Sequence, residues 1–406
     1  MNKSIIFVLN NFNIGGPQKS LLSLLYNFPE TFNVDLLVLN NEDTLKEYLP
    51  KNVNLLTADK QFSLLMLNKR NILKSIIENY SINSNLSTNA LYFLFKNSVK
   101  SNLVKEKQKF WVDNKKNVKQ EYTKEYDFAI GVSGGHSIMY IVDFIKAKKK
   151  VGWVRTEYQN LNRNIEIDNG YFNHLDLVLS VSNKCTEKFT EVFPSQAKKV
   201  RTFYNPLPFK MYNRLFEKNI EHQRKQQNGH KINIATISRL DKDKGFDMAV
   251  EAAKLLKINN YHYMWEIYGE GPEKNNIQKQ IKKHNLESNV VLKGFKFNTG
   301  EILKNTDILV HPSRYEGKSN TIDEAKYYEV PIVATNYPTV TEQLSNNFDS
   351  IITEMDSYSL YQGISSLILD KTLRKEISKN LKQNKTKRIK VYEEFMGLLG
   401  TRIEND

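Results

Sequence analysis

Cysteine is nearly absent from this sequence, and long apolar runs are absent altogether. Cys185 is the only cysteine, so no disulfide can form within the chain, and a reducing cytoplasm is expected. No stretch of about eighteen apolar residues occurs, so no membrane-spanning helix is expected. The first apolar run ends at Asn10, which makes it too short for the core of a signal peptide. These absences favour a cytoplasmic protein.

The sequence also lacks zinc-site spacings, a Ser/His/Asp triad and the patterns of nucleic-acid-binding modules. What is abundant is positive charge, because 59 lysines and arginines face 45 aspartates and glutamates, a formal net charge of +14. Such an excess of positive charge favours binding to nucleic acid, to an anionic membrane surface or to phosphate-bearing substrates. Since no helix-turn-helix, RRM-like or zinc pattern is present, nucleic acid is not expected as a partner.

The basic excess is concentrated in one helical region, at about 60–125. Between Lys51 and Glu125 the basic residues exceed the acidic ones by about eight, and they are mixed with apolar and aromatic segments. This mixture is typical of an amphipathic surface on an anionic membrane, for which Lys69, Arg70 and Lys74 are the candidate cations. A solvated lysine-rich face explains the same composition, and the sequence leaves both interpretations open.

Short apolar runs alternate with helical segments along the chain. One series begins at residues 5–9 (IIFVL) and a second at 232–238 (INIATIS), and each run predicts a buried strand of a parallel sheet. The polar stretch 217–230 predicts an exposed linker or loop, and the domain boundary is placed near 206–208. The predicted fold class is α/β, with two doubly wound parallel-sheet domains at 1–206 and 207–372. A helical, basic tail at 373–406 is expected to pack back on the first domain.

One stretch, 311–324 (HPSRYEGKSNTIDE), joins a predicted strand at 307–310 to a glycine turn and a helix. A helix N-terminus after such a turn offers backbone N–H groups and the positive end of the helix dipole to an anion. Glu316 and Glu324 could both face a ligand whose phosphates rest there. The alternative is a capping box, in which Thr321 and Glu324 only satisfy the helix end.

A second charged turn, 238–245 (SRLDKDKG), follows the first strand of the second domain. Arg239 and Lys244 could bind a diphosphate there, the arginine as a planar fork and the lysine as a point charge. A charged surface turn is the alternative.

Taken together and in order, these segments resemble the retaining glycosyltransferases of family 4, which have the GT-B fold. The resemblance covers 232–345 most strongly, and it rests on the 238–245 turn, the Glu-x7-Glu pair and four further segments: YGEGP at 268–272, VVLKG at 290–294, DILVHPS at 307–313 and VPIVAT at 330–335. It implies two domains facing across a cleft, an acceptor-side domain at 1–206 and a nucleotide-sugar-binding domain at 207–372.

The resemblance implies a nucleotide-sugar donor, with a UDP-sugar favoured, and neither a cofactor nor a metal. Arg239 and Lys244 would neutralise the diphosphate, helped by four backbone amides of the glycine turn, those of Gly317, Lys318, Ser319 and Asn320. Charge grows on the departing diphosphate, and preorganised cations and N–H dipoles lower that barrier.

The resemblance also implies contacts to the rest of the donor. Glu324 would bind the ribose hydroxyls, and Glu316 would bond the donor sugar or support charge at the reacting carbon. Gly16 would let the first-domain loop approach the phosphates.

The chain departs from the family pattern in its first domain. Arg155 follows the strand at 151–154, where relatives often have a histidine near the acceptor, and this points to an acidic acceptor such as a phosphate. His136, at another strand end, could take the histidine's place, or it could be bonded within a turn. Lys318 stands where many relatives have an aromatic or small residue, so it could tune donor choice.

The expected function is metal-independent, retaining transfer of a hexosyl or N-acetylhexosaminyl group to a bacterial surface glycan. The acceptor would be a lipid-linked capsule or O-antigen intermediate or a teichoic-acid-like polymer, reached from the inner face of the plasma membrane. Two other classes stay open: a non-catalytic nucleotide-sugar or glycan-binding partner, and another enzyme on this fold, such as a nucleotide-sugar epimerase.

Overall fold

The computed structural model describes residues 3–13, 15–29, 32–40, 43–67, 72–97, 103–118, 123–215, 231–383 and 391–400. The chain forms two compact units, Met1–Pro206 with Lys390–Asp406, and Leu207–Ile389. The predicted linker at 217–230 lies outside the described residues, as do Lys69 and Arg70.

The first unit is built on a seven-stranded sheet whose neighbouring strands are all parallel. Its strands are β1 (Ser4–Leu9), β2 (Asn33–Val38), β3 (Val53–Thr57), β4 (Glu125–Val132), β5 (Lys146–Val154), β6 (Leu177–Ser180) and β7 (Val200–Thr202). Most of its strand residues are apolar because helices cover both faces of such a sheet, but β5 begins with the largely unburied segment KAKKK. The order across the sheet is β3-β2-β1-β4-β5-β6-β7. Strands β2 and β3 are added on one side of β1 and strands β4 to β7 on the other, so the strand order reverses between β1 and β4.

Eight α-helices precede Pro206 in the described part of this unit. The described residues between 60 and 118 are mainly helical, as the sequence predicts, and four of these eight helices lie there. The eight are α1 (Gly16–Leu25), α2 (Lys60–Leu65), α3 (Ile72–Tyr80), α4 (Ser84–Lys96), α5 (Val104–Asn114), α6 (His136–Phe144), α7 (Ile165–Asn173) and α8 (Asn183–Val192).

The second unit has a six-stranded sheet, again with parallel pairs only. Its strands are β8 (Ile232–Ile237), β9 (Tyr263–Tyr268), β10 (Val290–Gly294), β11 (Ile308–His311), β12 (Ile332–Thr335) and β13 (Ile351–Thr353). The order is β10-β9-β8-β11-β12-β13, which puts the reversal between β8 and β11. Its helices are α9 (Phe209–Leu215), α10 (Phe246–Ile258), α11 (Lys274–Lys283), α12 (Thr299–Lys304), α13 (Asn320–Tyr327), α14 (Ser357–Leu369) and α15 (Lys371–Gln383).

The predicted tail at 373–406 is divided between the two units. The α15 helix buries Ile377 and Leu381 in the core of the second unit. The last helix, α16 (Val391–Leu398), belongs to the first unit instead. Both helices have apolar residues at helical spacing, so their sequences do not tell which core each one covers.

The α16 helix completes an aromatic cluster on one face of the first sheet. Phe395 is fully buried, and its ring centroid lies 6.0 Å from that of Phe7, 5.3 Å from Phe203 and 6.4 Å from Trp153. A buried aromatic side chain of this kind contributes several kcal/mol to folding.

Within the part of the chain that the structure describes, no helix is long and apolar enough to cross a membrane.

We expect Phe395→Ala to lower the free energy of unfolding of the first unit by about 3–5 kcal/mol, because it leaves a cavity among packed rings. The matched control is Phe95→Ala, whose side chain is 86% exposed on α4, with an expected change of about 0.5 kcal/mol or less. Urea unfolding followed by tryptophan fluorescence measures both, since Trp153 lies in the affected cluster. Equal effects of the two substitutions would contradict the packing of α16.

Candidate functional site

Two loops of the second unit meet beyond the carboxyl ends of β8 and β11. These strands are neighbours in the sheet, and the sheet order reverses between them, which is where open α/β sheets bind ligands. Asp243 O accepts from Arg314 N at 2.8 Å and from Ser313 Oγ at 3.2 Å. Gly245 has φ +64°, and a Cβ there would collide with Pro312 O. The loops can approach this closely only because residue 245 is glycine.

This approach brings Lys244 to Glu316. Lys244 Nζ donates to Glu316 Oε1 at 2.7 Å. The same oxygen lies 3.1 Å from His311 Nε2 and accepts from Ser313 Oγ at 3.2 Å. Among the described residues no contact involves Oε2, so one oxygen of Glu316 is held and the other is left for a ligand.

The pKa of Glu316 lies at about 2, well below its ordinary value. Burial alone would raise the pKa, but the hydrogen bond from His311 and the charge and hydrogen bond of Lys244 outweigh that effect. Glu316 is therefore an anion at any pH at which the protein would work.

The backbone after Glu316 is fixed by two side chains from 339–343. Thr339 Oγ1 donates to Glu316 O at 2.8 Å. Gln343 accepts from Ser319 N and donates to Ser319 O, both at 2.8 Å. The Ser319 N–H donates to Gln343 Oε1, so a diphosphate would have to compete with this side chain, and the predicted contact of Ser319 to the diphosphate stays a prediction.

The side chain of Lys318 also bonds within the unit. It is 7% exposed and pairs with Asp323 in the first turn of α13. A lysine so placed supports the loop, and the influence of Lys318 on donor choice stays a prediction. Gly317 and Asn320 likewise make contacts within the protein.

The capping box predicted for Thr321 and Glu324 is not formed. Ser319 is the N-cap of α13, and its hydroxyl accepts from Ile322 N. Thr321 Oγ1 instead donates to Ile237 O at 3.1 Å. Ser319 is the cap because the helix begins at Asn320, two residues before the start that a Thr321 cap would require.

Glu324 lies on the buried side of α13. It is 1% exposed and accepts a hydrogen bond from Thr299 Oγ1, whose hydroxyl also lies 2.9 Å from Tyr212 Oη. The ribose contact assigned to Glu324 stays a prediction, and a sugar hydroxyl would have to share this carboxylate with Thr299.

Arg239 is the most open of the predicted donor residues. Its side chain is 68% exposed and pairs with Asp241 in the same turn. A surface pair of this kind is weak and exchanges readily with water, so the guanidinium can be drawn to a more strongly charged partner.

In the first unit, the predicted residues lie at strand ends of one sheet edge. Gly16 begins α1, directly after Gly15, whose φ of −175° is ordinary extended backbone. His136 begins α6, and its ring lies 5.2 Å from that of Trp111. Arg155 follows β5 and lies over the ring of Trp153.

His136 is neutral at physiological pH. Burial, together with the positive charges of Arg163 and Lys107, lowers its pKa to about 3. His136 Nε2 is buried and has no hydrogen-bond partner within the described ranges. The interpretation of His136 as bonded within a turn is therefore wrong for Nε2, which stays available to a ligand.

Sequence reasoning gave no role to several residues of the second-unit site. His311 and Ser313 lie inside the quoted 311–324 stretch, so their place at a strand end was a usable signal. Thr339, Gln343 and Thr299 reach the site from elsewhere in the chain, and nothing in their local sequence marks them. The described part of the chain contains no group of three or more His, Cys, Asp or Glu residues that could hold a metal.

Comparison with solved structures confirms the GT-B fold. The structure of a Staphylococcus aureus TarM mutant with fondaparinux, α-GlcNAc-glycerol and UDP superposes with a TM-score of 0.67 at 15% identity, over 98% of this chain and 100% of that one. HepE of Anabaena, with UDP and glucose, superposes with a TM-score of 0.68 at 14% identity, over 98% and 99%. Likeness at this identity shows the two-domain fold.

Sequence comparison identifies a matching family model and similar proteins for the second unit. Residues 217–384 match the family model Glycosyl transferases group 1. The poly(ribitol-phosphate) α-N-acetylglucosaminyltransferase of S. aureus is 36% identical over 101 residues, 25% of this chain and 20% of that protein. A Campylobacter jejuni α-N-acetylgalactosaminyltransferase, named for a diphospho-undecaprenol-linked substrate, is 27% identical over 202 residues, 49% and 53%.

The chain thus spans about half or less of the length of these curated relatives. The predicted GT-B fold is confirmed, and the second unit is similar in sequence to glycosyltransferases of bacterial surface glycans.

We expect Glu316→Gln to destabilise the second unit by roughly 2–3 kcal/mol at pH 7, because the ionised carboxylate stabilises the fold through Lys244 and His311. The folded pKa of about 2 lies below the ordinary value of 4.5. The stabilisation is therefore complete above about pH 4.5 and is lost as the pH falls through about 2. Urea unfolding between pH 3 and 7 should show the gap between variant and wild type narrowing on acidification.

The matched control is Glu354→Gln, at an exposed position of the same unit. A gap between Glu316→Gln and wild type that stays constant from pH 7 to pH 3 would contradict the ionised pair.

Proposed function

We propose that the protein is a retaining, metal-independent glycosyltransferase that uses a nucleotide-diphosphate sugar, with a UDP-sugar favoured. The carrying observation is the Lys244–Glu316–His311 cluster at the reversal point of the second sheet. It places a cation and an ionised carboxylate side by side where such sheets bind nucleotides. Support for the nucleotide comes from the UDP present in the TarM and HepE structures.

In this proposal the donor's diphosphate is the leaving group. Arg239 and Lys244 balance the charge that grows on it as the bond to the sugar breaks, and a fixed cation does this without solvent reorganisation. The free Oε2 of Glu316 binds a sugar hydroxyl or stabilises positive charge at the reacting carbon. Glu324 binds the ribose. Two positive side chains supply the charge that a divalent metal would otherwise supply.

The proposed acceptor is a phosphate-bearing bacterial surface glycan, either a lipid-linked capsule or O-antigen intermediate or a teichoic-acid-like polymer. The two curated relatives act, by their names, on a ribitol-phosphate polymer and on a diphospho-undecaprenol-linked sugar. His136 and Arg155 serve the acceptor side. His136 acts as a neutral hydrogen-bonding group and not as a cation, since its pKa lies at about 3.

We expect purified protein to release nucleotide slowly from one member of a panel of UDP- and GDP-sugars, and we expect Arg239→Ala and Lys244→Met to lower that rate by about 100-fold or more. The matched control is Lys254→Ala, which removes an ammonium that pairs with Glu251 within α10. An equal loss of activity in Lys254→Ala would mean that the effect of Lys244→Met is not specific to the site.

Donor binding without release, even with a membrane extract as acceptor, would favour the non-catalytic partner. No binding of any donor would contradict the proposed function. NMR of the product's anomeric proton tests retention.

We further propose that helices α3 and α4 contact the anionic cytoplasmic face of the plasma membrane. Nine of the sixteen exposed large apolar side chains of the described residues lie between 73 and 112. On α3 these are Leu73, Ile77 and Tyr80, spaced so that they share one face. On α4, Phe95 is 86% exposed, and Lys96 Nζ lies 5.9 Å from the Tyr92 ring centre. Exposed apolar and aromatic side chains beside lysines suit the lipid interface.

We expect a double variant, Ile77→Ser with Phe95→Ser, to bind phosphatidylglycerol-containing vesicles at least about tenfold more weakly than wild type, because two apolar anchors are lost. The matched control places the same substitutions at Ile258 and Leu369, which are 63% and 71% exposed in the second unit. Lys74→Glu tests the electrostatic part of the binding. Vesicle binding that is unchanged in the double variant would rule this surface out.

A further inference from the structure

Arg155 is a largely buried cation without a counter-ion. Its guanidinium carbon lies 4.4 Å from the ring centre of Trp153, and Nη1 is buried with no hydrogen-bond partner among the described residues. Five other described arginines donate to a carboxylate or to backbone carbonyls. These are Arg163 and Arg314, bonded to Asp168 and Asp247, Arg239, bonded to Asp241, and Arg201 and Arg374, bonded to carbonyls.

Within the described part of the chain, no acidic side chain compensates the charge of Arg155. Burial lowers its pKa to about 9, and no described carboxylate acts in the opposite direction. Glu157 is the nearest acid in sequence, and its charge contributes to raising the pKa of Lys188. At neutral pH the guanidinium is still protonated, so the folded unit holds a desolvated positive charge next to an indole. Such a charge is costly, and a bound anion would offset that cost.

The position of Arg155 indicates that the anion that offsets its charge is a bound ligand. It follows β5, one strand from the β1/β4 reversal at which this sheet is expected to bind ligands. At the same carboxyl edge Ser133 Oγ and His136 Nε2, which follow β4, are also buried without partners. Buried polar atoms are nearly always hydrogen-bonded, so several unpaired ones at one sheet edge indicate a place that a polar ligand fills.

We propose that Arg155 binds a phosphodiester group of the acceptor, an inference that rests on the proposed function. A phosphodiester carries one negative charge, which a single guanidinium balances. Trp153 covers one face of the Arg155 guanidinium, so the guanidinium can donate hydrogen bonds to a ligand only from its N–H edge. The planar fork of that edge matches two phosphate oxygens. Arg155 thereby selects acceptors that carry phosphate over neutral glycans.

Binding measurements on the full-length protein test this without an identified acceptor. The probes are a glycerol-phosphate oligomer, neutral dextran and UDP, each titrated by calorimetry. We expect wild type to bind the oligomer and not dextran. Arg155→Gln should bind the oligomer about tenfold more weakly or worse, and Arg155→Lys should lose less, since it keeps the charge without the fork. The matched control is Arg201→Gln, which removes a surface arginine of the same unit. Its affinity for the oligomer should equal that of wild type.

The UDP titration separates the two sources of phosphate. A loss of UDP affinity in Arg155→Gln that equals the loss of oligomer affinity would mean that the guanidinium holds the donor's diphosphate, and this would overturn the proposal. Unchanged oligomer binding in Arg155→Gln, or no oligomer binding by wild type, would overturn it as well. Failure of wild type to bind UDP would count against the proposed function, while the oligomer titrations would still decide the role of Arg155.

Discussion

The geometry of the second-unit site depends on one constraint: the loops that follow β8 and β11 must touch. Parallel neighbours end at the same sheet edge, so their loops start about 5 Å apart. Contact then requires Gly245, because any side chain there would displace the Pro312 carbonyl. Once the loops touch, Lys244 reaches Glu316, and the carboxylate becomes a fixed anion although it is largely buried. The charge pattern of the site thus follows from a backbone contact.

The two sheet edges differ in how their polar groups are satisfied. At the second-unit edge, Glu316, Lys318, Ser319 and Glu324 all bond to partners within the unit, and His311 Nδ1 is the exception, a buried atom without a partner among the described residues. At the first-unit edge, Ser133, His136 and Arg155 each leave a buried polar atom unpaired within the described ranges. The first arrangement is preorganised, which suits stabilisation of a short-lived charge. The second is incomplete in the protein alone, which suits selective recognition of a partner molecule.

The sequence predicts the alternation of strands and helices well because parallel strands buried on both faces are short apolar runs. The patterns used above assign no element at β3, α7, α9, α12 or α14. In α14 a signal was present, since the buried Leu360, Ile364 and Leu367 lie on one helix face. Arg239, Lys244 and Glu316 could be selected because each follows a strand at the edge where ligands bind. Gln343 and Thr339 could not, since their role arises only when the chain returns to brace the loop. The capping box is not formed because the helix begins two residues earlier than a Thr321 cap requires, a shift that sequence patterns do not resolve.

The return of α16 to the first unit has a consequence for how the protein is made. A ribosome completes β1 and Phe7 early, but the aromatic cluster that covers them also needs Phe395. Almost four hundred residues separate these two rings in the chain, and the whole second unit lies between them. The first unit therefore cannot complete this aromatic cluster until the whole second unit and Phe395 have been synthesised. The unit that is begun before its neighbour is completed after it.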